Sequence, residues 1–70
     1  MKIQVICCTE KRNAQGKLLE EIYDAKELTD AEWSHFYQTK EYHTYTWVKP
    51  LTGLKAHPMY SFFLTHFFHD

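Results

Sequence analysis

The stretch "LLEEIYDAKEL", residues 18–28, decides the fold, because its pattern supports two incompatible structures. Leu18, Leu19, Ile22, Tyr23 and Ala25 recur at helical spacing, and strict alternation fails where Leu18 meets Leu19 and Glu20 meets Glu21. The upstream neighbour argues the other way. "KIQVICCT" (2–9) is a short β-branched run with Ile3, Val5 and Cys7 on one face and Gln4, Ile6 and Cys8 on the other. A strand apolar on both faces belongs inside a sheet and needs a partner. "EKRNAQGK" (10–17) separates the two runs with charge, Asn13 and Gly16, the chemistry of a turn. A hairpin closed over "NAQG" supplies that partner and is the expectation, with a helix over 18–28 as the alternative.

Downstream, "LTDAEWSHFYQTK" (28–40) carries the clearest signal. Thr29 with Glu32 three residues later is a capping box, and Asp30 adds negative charge at the positive end of the helix dipole. Trp33, Phe36 and Tyr37 then form an apolar stripe, so a helix of about three turns is expected near 30–40, with Trp33 and Phe36 in the core. "YHTYTWVK" (42–49) alternates Tyr42, Thr44, Thr46 and Val48 with His43, Tyr45, Trp47 and Lys49, which reads as a strand ended by Pro50. The closing "HPMYSFFLTHFFHD" (57–70) fits either a helix starting at Pro58 or an aromatic strand, and both readings set His66 among aromatic rings. On the helix, Ser61, Thr65 and His69 form a narrow polar strip. The expected fold is α+β: one small domain over residues 1–70, with a short antiparallel sheet packed on the capped helix.

The size of the chain narrows the functions open to it. At 70 residues it hides only about 60% of its unfolded surface, so its 17% aromatic content must supply much of the core. The net charge of −1 excludes a global field that would draw the chain to nucleic acid or anionic lipid. The charge is uneven, however. Between Lys17 and Glu32 lie Glu20, Glu21, Asp24, Glu27, Asp30 and Glu32 against two lysines, a local excess of −4 balanced by +3 elsewhere. Such a stretch is most often the solvated face of an element, and less often an acidic face for a basic partner.

Chemistry has little support. Cys7 and Cys8 are neighbours on opposite strand faces, where a bridge between them would be strained, so two free thiols in a reducing cytoplasm are expected. They read as small core hydrophobes, with no base or cation close in sequence to activate them. His66 and His69 stand three apart, but no Cys-x-x-Cys or His-Glu-x-x-His accompanies them; a His-based metal site is a minor reading and no cofactor is expected. Ser34 and Ser61 lie in no nucleophile motif, there is no glycine-rich phosphate loop, and no enzymatic activity is expected. The apolar run Met59–Phe68 is too short to cross a membrane, which takes about 20 residues, and carries no Lys or Arg suited to an interfacial anchor.

A binding module remains. More aromatic residues are present than one small core readily hides, and exposed Trp and Tyr favour interfaces. The expected contacts are Tyr45, Trp47, Glu27 and Asp30, reaching another protein, itself basic or nucleic-acid-binding, or a second copy of the chain. By analogy of size alone, such chains serve as inhibitors or adaptors encoded by phages and mobile elements. The alternative is single-stranded nucleic acid stacked on Tyr45 and Trp47 of strand 42–49, which the nearby acids oppose.

Overall fold

The computed structural model describes residues 2–68. Strand β1 (Lys2–Arg12) and strand β2 (Leu18–Thr29) form a long antiparallel hairpin, so the stretch 18–28 is a strand. They are followed by helices α1 (Asp30–Phe36) and α2 (Lys40–Thr44), strand β3 (Trp47–Pro50), a 3₁₀ turn (Leu51–Leu54) and helix α3 (Tyr60–His66). The sheet has three antiparallel strands in the order β2-β1-β3. The expected α+β architecture is therefore present.

The adjacent leucines that obscured the strand pattern have a geometric cause. Lys11 pairs with Glu20 and Arg12 with Leu18, so Leu19 is the extra residue of a β-bulge and alternation shifts phase there. The turn is closed locally. Asn13 Oδ1 accepts from the N–H groups of Gln15 and Lys17, both at 2.9 Å, and Arg12 Nη1 donates to the Gly16 carbonyl at 2.8 Å. Gly16 adopts φ of 83°, a left-handed conformation that a Cβ would strain.

Being central, β1 is covered on both faces, and Val5, Ile6, Cys7 and Cys8 are fully buried. On the even-numbered face, Ile6 packs with Leu51, Leu54 and Phe63, ringed by Tyr23, Ala25, Trp47, Met59 and Tyr60. Burying a side chain of the size of Phe63 stabilises the fold by roughly 1.5–3 kcal/mol. The odd-numbered face lies under α1 and α2. There Phe36 is buried, Tyr42 meets it edge-on at 5.8 Å, and Lys26 pairs with Glu41 at 2.6 Å.

Three expectations change in detail. The capping box forms as expected, with Glu32 N–H donating to Thr29 Oγ1 and Thr29 N–H donating to Glu32 Oε1, but α1 stops at Phe36 and does not run to residue 40. The strand expected over 42–49 is only Trp47–Pro50, because Thr39 caps a second helix: its Oγ1 accepts from Tyr42 N–H, and Tyr42 packs on Phe36 and Tyr37. The aromatic tail is a helix that begins at Tyr60, two residues after Pro58. The His66–His69 pair and the His69 end of the polar strip extend outside the described residues; within them, Thr65 Oγ1 donates to the Ser61 carbonyl at 3.0 Å.

Candidate functional site: an acidic hairpin arm

β1 and β2 are 11 and 12 residues long, while β3 has four, so the hairpin outruns the sheet. β3 pairs with Val5–Cys8 only, and one further contact, Glu10 N–H donating to Thr46 Oγ1 at 2.9 Å, ends the support on that side. Past it the two strands form an arm with the turn at its tip. Leu18, Leu19 and Ile22 on this arm are 38%, 63% and 43% exposed. Glu20 and Glu21 stand between them, Glu20 facing Lys11 at a loose 3.7 Å. Leu18, opposite Arg12, lies on the even-numbered side and Ile22, opposite Thr9, on the odd-numbered side, so the arm exposes aliphatic groups beside carboxylates on both of its faces.

The four expected contact residues are not gathered in one place. Glu27 is exposed on β2 opposite Gln4, and Asp30 is exposed at the first position of α1. Tyr45 is half-buried on the odd-numbered side, its hydroxyl within 3.4 Å of Asp24 Oδ2 and 3.3 Å of Glu41 Oε2. Burial, with the Cys7, Asp24 and Glu41 charges adding to it, raises the Tyr45 pKa, so the phenol stays protonated. Trp47 is half-buried on the other side, 6.2 Å from Tyr23 and 5.9 Å from His57 between ring centroids, with Lys49 Nζ 5.6 Å above its ring. His43, expected beside these rings, lies on α2 against Tyr42. The residues missed from the sequence are Leu18, Leu19 and Ile22. Apolar residues in a strand read as buried, and the arm is uncovered because β3 begins only at Trp47, opposite Cys8.

The titratable groups do not assemble a reactive centre among the described residues. Burial is the main cause that pushes both thiols up, Cys7 and Cys8 each to about 11, with neighbouring carboxylates adding to it. A thiol so placed is protonated at neutral pH and is a poor nucleophile. Cys8, Glu10 and Glu21 bring their ligand atoms within 4.8 Å of one another. Each carboxylate already has a partner: Glu10 accepts from Arg12 Nη2 at 3.0 Å, and Glu21 accepts from the Tyr23 hydroxyl at 2.8 Å. His66 is exposed, stacked on Phe62 at 4.8 Å and met edge-on by Phe67 at the same distance. His57 is half-buried and its Nδ1 accepts from the Met59 N–H at 3.0 Å. No helix among the described residues is long and apolar enough to cross a membrane.

At the other end of β1 lies a groove of about 530 Å³. Lys2, Ile3 and Gln4 form its floor; Trp33 of α1 and Tyr60 and Leu64 of α3 stand at its sides; Pro50, Leu51 and Thr52 close one end. Comparison of the chain with protein-family models, with curated proteins and with solved structures finds no match.

Proposed function

We propose that this protein is a small protein-binding module, an adaptor or inhibitor in type, that acts by surface contact through the hairpin arm. The observation that carries the reading is the trio Leu18, Leu19 and Ile22, exposed where neither β3 nor a helix covers the hairpin. Aliphatic side chains exposed on both faces of one uncovered ribbon favour a partner that wraps it. Glu20 and Glu21 give that surface an acidic flank, and Glu27 toward the base of β2 and Asp30 at the start of α1 continue the negative charge along the chain, which selects a basic partner and speeds its encounter. Tyr45 and Trp47 support the contact from within, as half-buried rings at the sheet. A reducing cytoplasm suits two buried free thiols.

The test places a photo-cross-linking amino acid at position 19 and, as a control, at the exposed Lys55. Irradiation in the native host should trap a discrete protein from position 19 and not from position 55. Cross-linking that is absent or identical at both positions, together with a monomer at every concentration on sizing, would sink the reading.

A further inference from the structure

The groove at the Lys2 end of β1 has an open strand edge as its floor. β3 stops at Pro50 opposite Val5, where the chain turns away into Leu51–Leu54. Lys2, Ile3 and Gln4 therefore pair with Thr29, Leu28 and Glu27 of β2 on one side and, among the described residues, with no strand on the other.

The phase of the strand fixes where its peptide groups point. The Cys8 carbonyl accepts from Thr46 N–H and the Glu10 N–H donates to Thr46, so even-numbered residues of β1 face the β3 side. Asn13 N–H, donating to the Lys17 carbonyl across the hairpin, keeps the odd-numbered phase. Lys2 and Gln4 continue the even phase and direct N–H and C=O groups into the groove.

We infer that the groove binds an extended peptide segment of a partner protein, which pairs with Lys2–Gln4 as an added strand and carries an acidic residue to Lys2. An extended backbone matches donors and acceptors that repeat at every second residue. Its alternate side chains reach two different apolar walls, Trp33 with Ile3 on one face and Tyr60 with Leu64 and Leu51 on the other. Lys2 is the charged side chain of the lining, so a basic segment is disfavoured and an acidic one is drawn in. Glu32 lies in the field of Lys2, but its carboxylate is already held by the Thr29 N–H. A segment that follows the direction of β3 runs antiparallel to β1 and brings its C-terminal end to Lys2. This ligand is opposite in charge to the partner proposed for the arm, and it occupies the opposite edge of the sheet.

A displayed library of random peptides panned against the whole 70-residue chain supplies the probe, and an enriched peptide is then synthesised with a fluorophore. Enriched sequences should alternate apolar residues and place Asp or Glu toward the C-terminal end. Gln4→Ala keeps the backbone donor and should keep affinity; Gln4→Pro removes it, and Lys2→Glu reverses the charge, each weakening binding by about tenfold. Should Gln4→Pro fail to fold, hydrogen exchange in the unaltered chain decides: peptide should slow the Gln4 amide by about tenfold or more. No enrichment, binding indifferent to both changes, or a doubling of mass without peptide would overturn the inference. None of these outcomes touches the arm, which is read by cross-linking at position 19.

Discussion

The base and the arm of the hairpin are made of the same two strands and meet opposite fates. At the base, Val5–Cys8 lie between β2 and β3 with helices on both faces, and every side chain is fully buried. A few residues further on, the same pairing continues through Lys11–Glu20 with no third strand, and Leu18, Leu19 and Ile22 remain in water. Antiparallel pairing of β1 with β2 runs through both regions, although the apolar Val5–Cys8 give way to the polar Thr9–Arg12 and a bulge on the arm. What also differs is the reach of β3 and of the aromatic layers. In a chain this small, burial and hence stability follow the third strand, and the unsupported length is left for contact with something else.

The comparison breaks most readily at the base. Phe63→Ala should cost about 3–5 kcal/mol in urea unfolding. That is comparable with the whole stability of a domain this size, roughly 4–10 kcal/mol, and a loss below about 1 kcal/mol would mean that the base is not the stabilising half. The next effect is also confined to the base. Cys7 and Cys8 have folded pKa values raised from 9.0 to about 11, so the folded state binds more protons than the unfolded one across that interval. Stability is fully present below pH 9 and should fall as pH rises from about 9 to 11. A Cys7→Ala, Cys8→Ala variant should flatten that decline in pH-dependent melting.

On the arm the effects shrink. Gly16→Ala forces a Cβ into the left-handed region and should cost about 1–2 kcal/mol, with faster amide exchange in residues 10–20 and unchanged protection at Val5–Cys8. Equal loss of protection at base and arm would show that the two are one cooperative unit. The smallest effect sharpens the contrast most. Leu19→Ser at the exposed bulge should change stability by less than about 0.5 kcal/mol while removing any contact made through position 19.

How legible these regions were follows from how local their causes are. The doubly apolar β1 and the Thr29–Glu32 box are written in adjacent residues, and both appear as expected. β2 was ambiguous because the bulge at Leu19 breaks the alternation that marks a strand, and only the need of β1 for a neighbour favoured the hairpin. The stretch 42–49 misled for a different reason. Tyr and Thr suit strands, yet Thr39 caps a short helix there that is held by Tyr42 against Phe36 and Tyr37, contacts fixed by the tertiary fold. The surfaces were less legible still. Exposure of Leu18, Leu19 and Ile22 and the open edge at Lys2–Gln4 both depend on where β3 starts and stops, and a four-residue strand leaves little periodicity to read.

Cys7 and Cys8 are consecutive, yet they look out of opposite faces of the central strand, one beneath the α1–α2 layer and the other on the side of α3. Nature has thus placed a chemical reporter under each covering of the sheet. A thiol reagent reaches Cys7 only when the first covering lifts and Cys8 only when the second does. The order in which the two sulfurs are labelled under mild denaturant therefore records which side of the molecule peels away first.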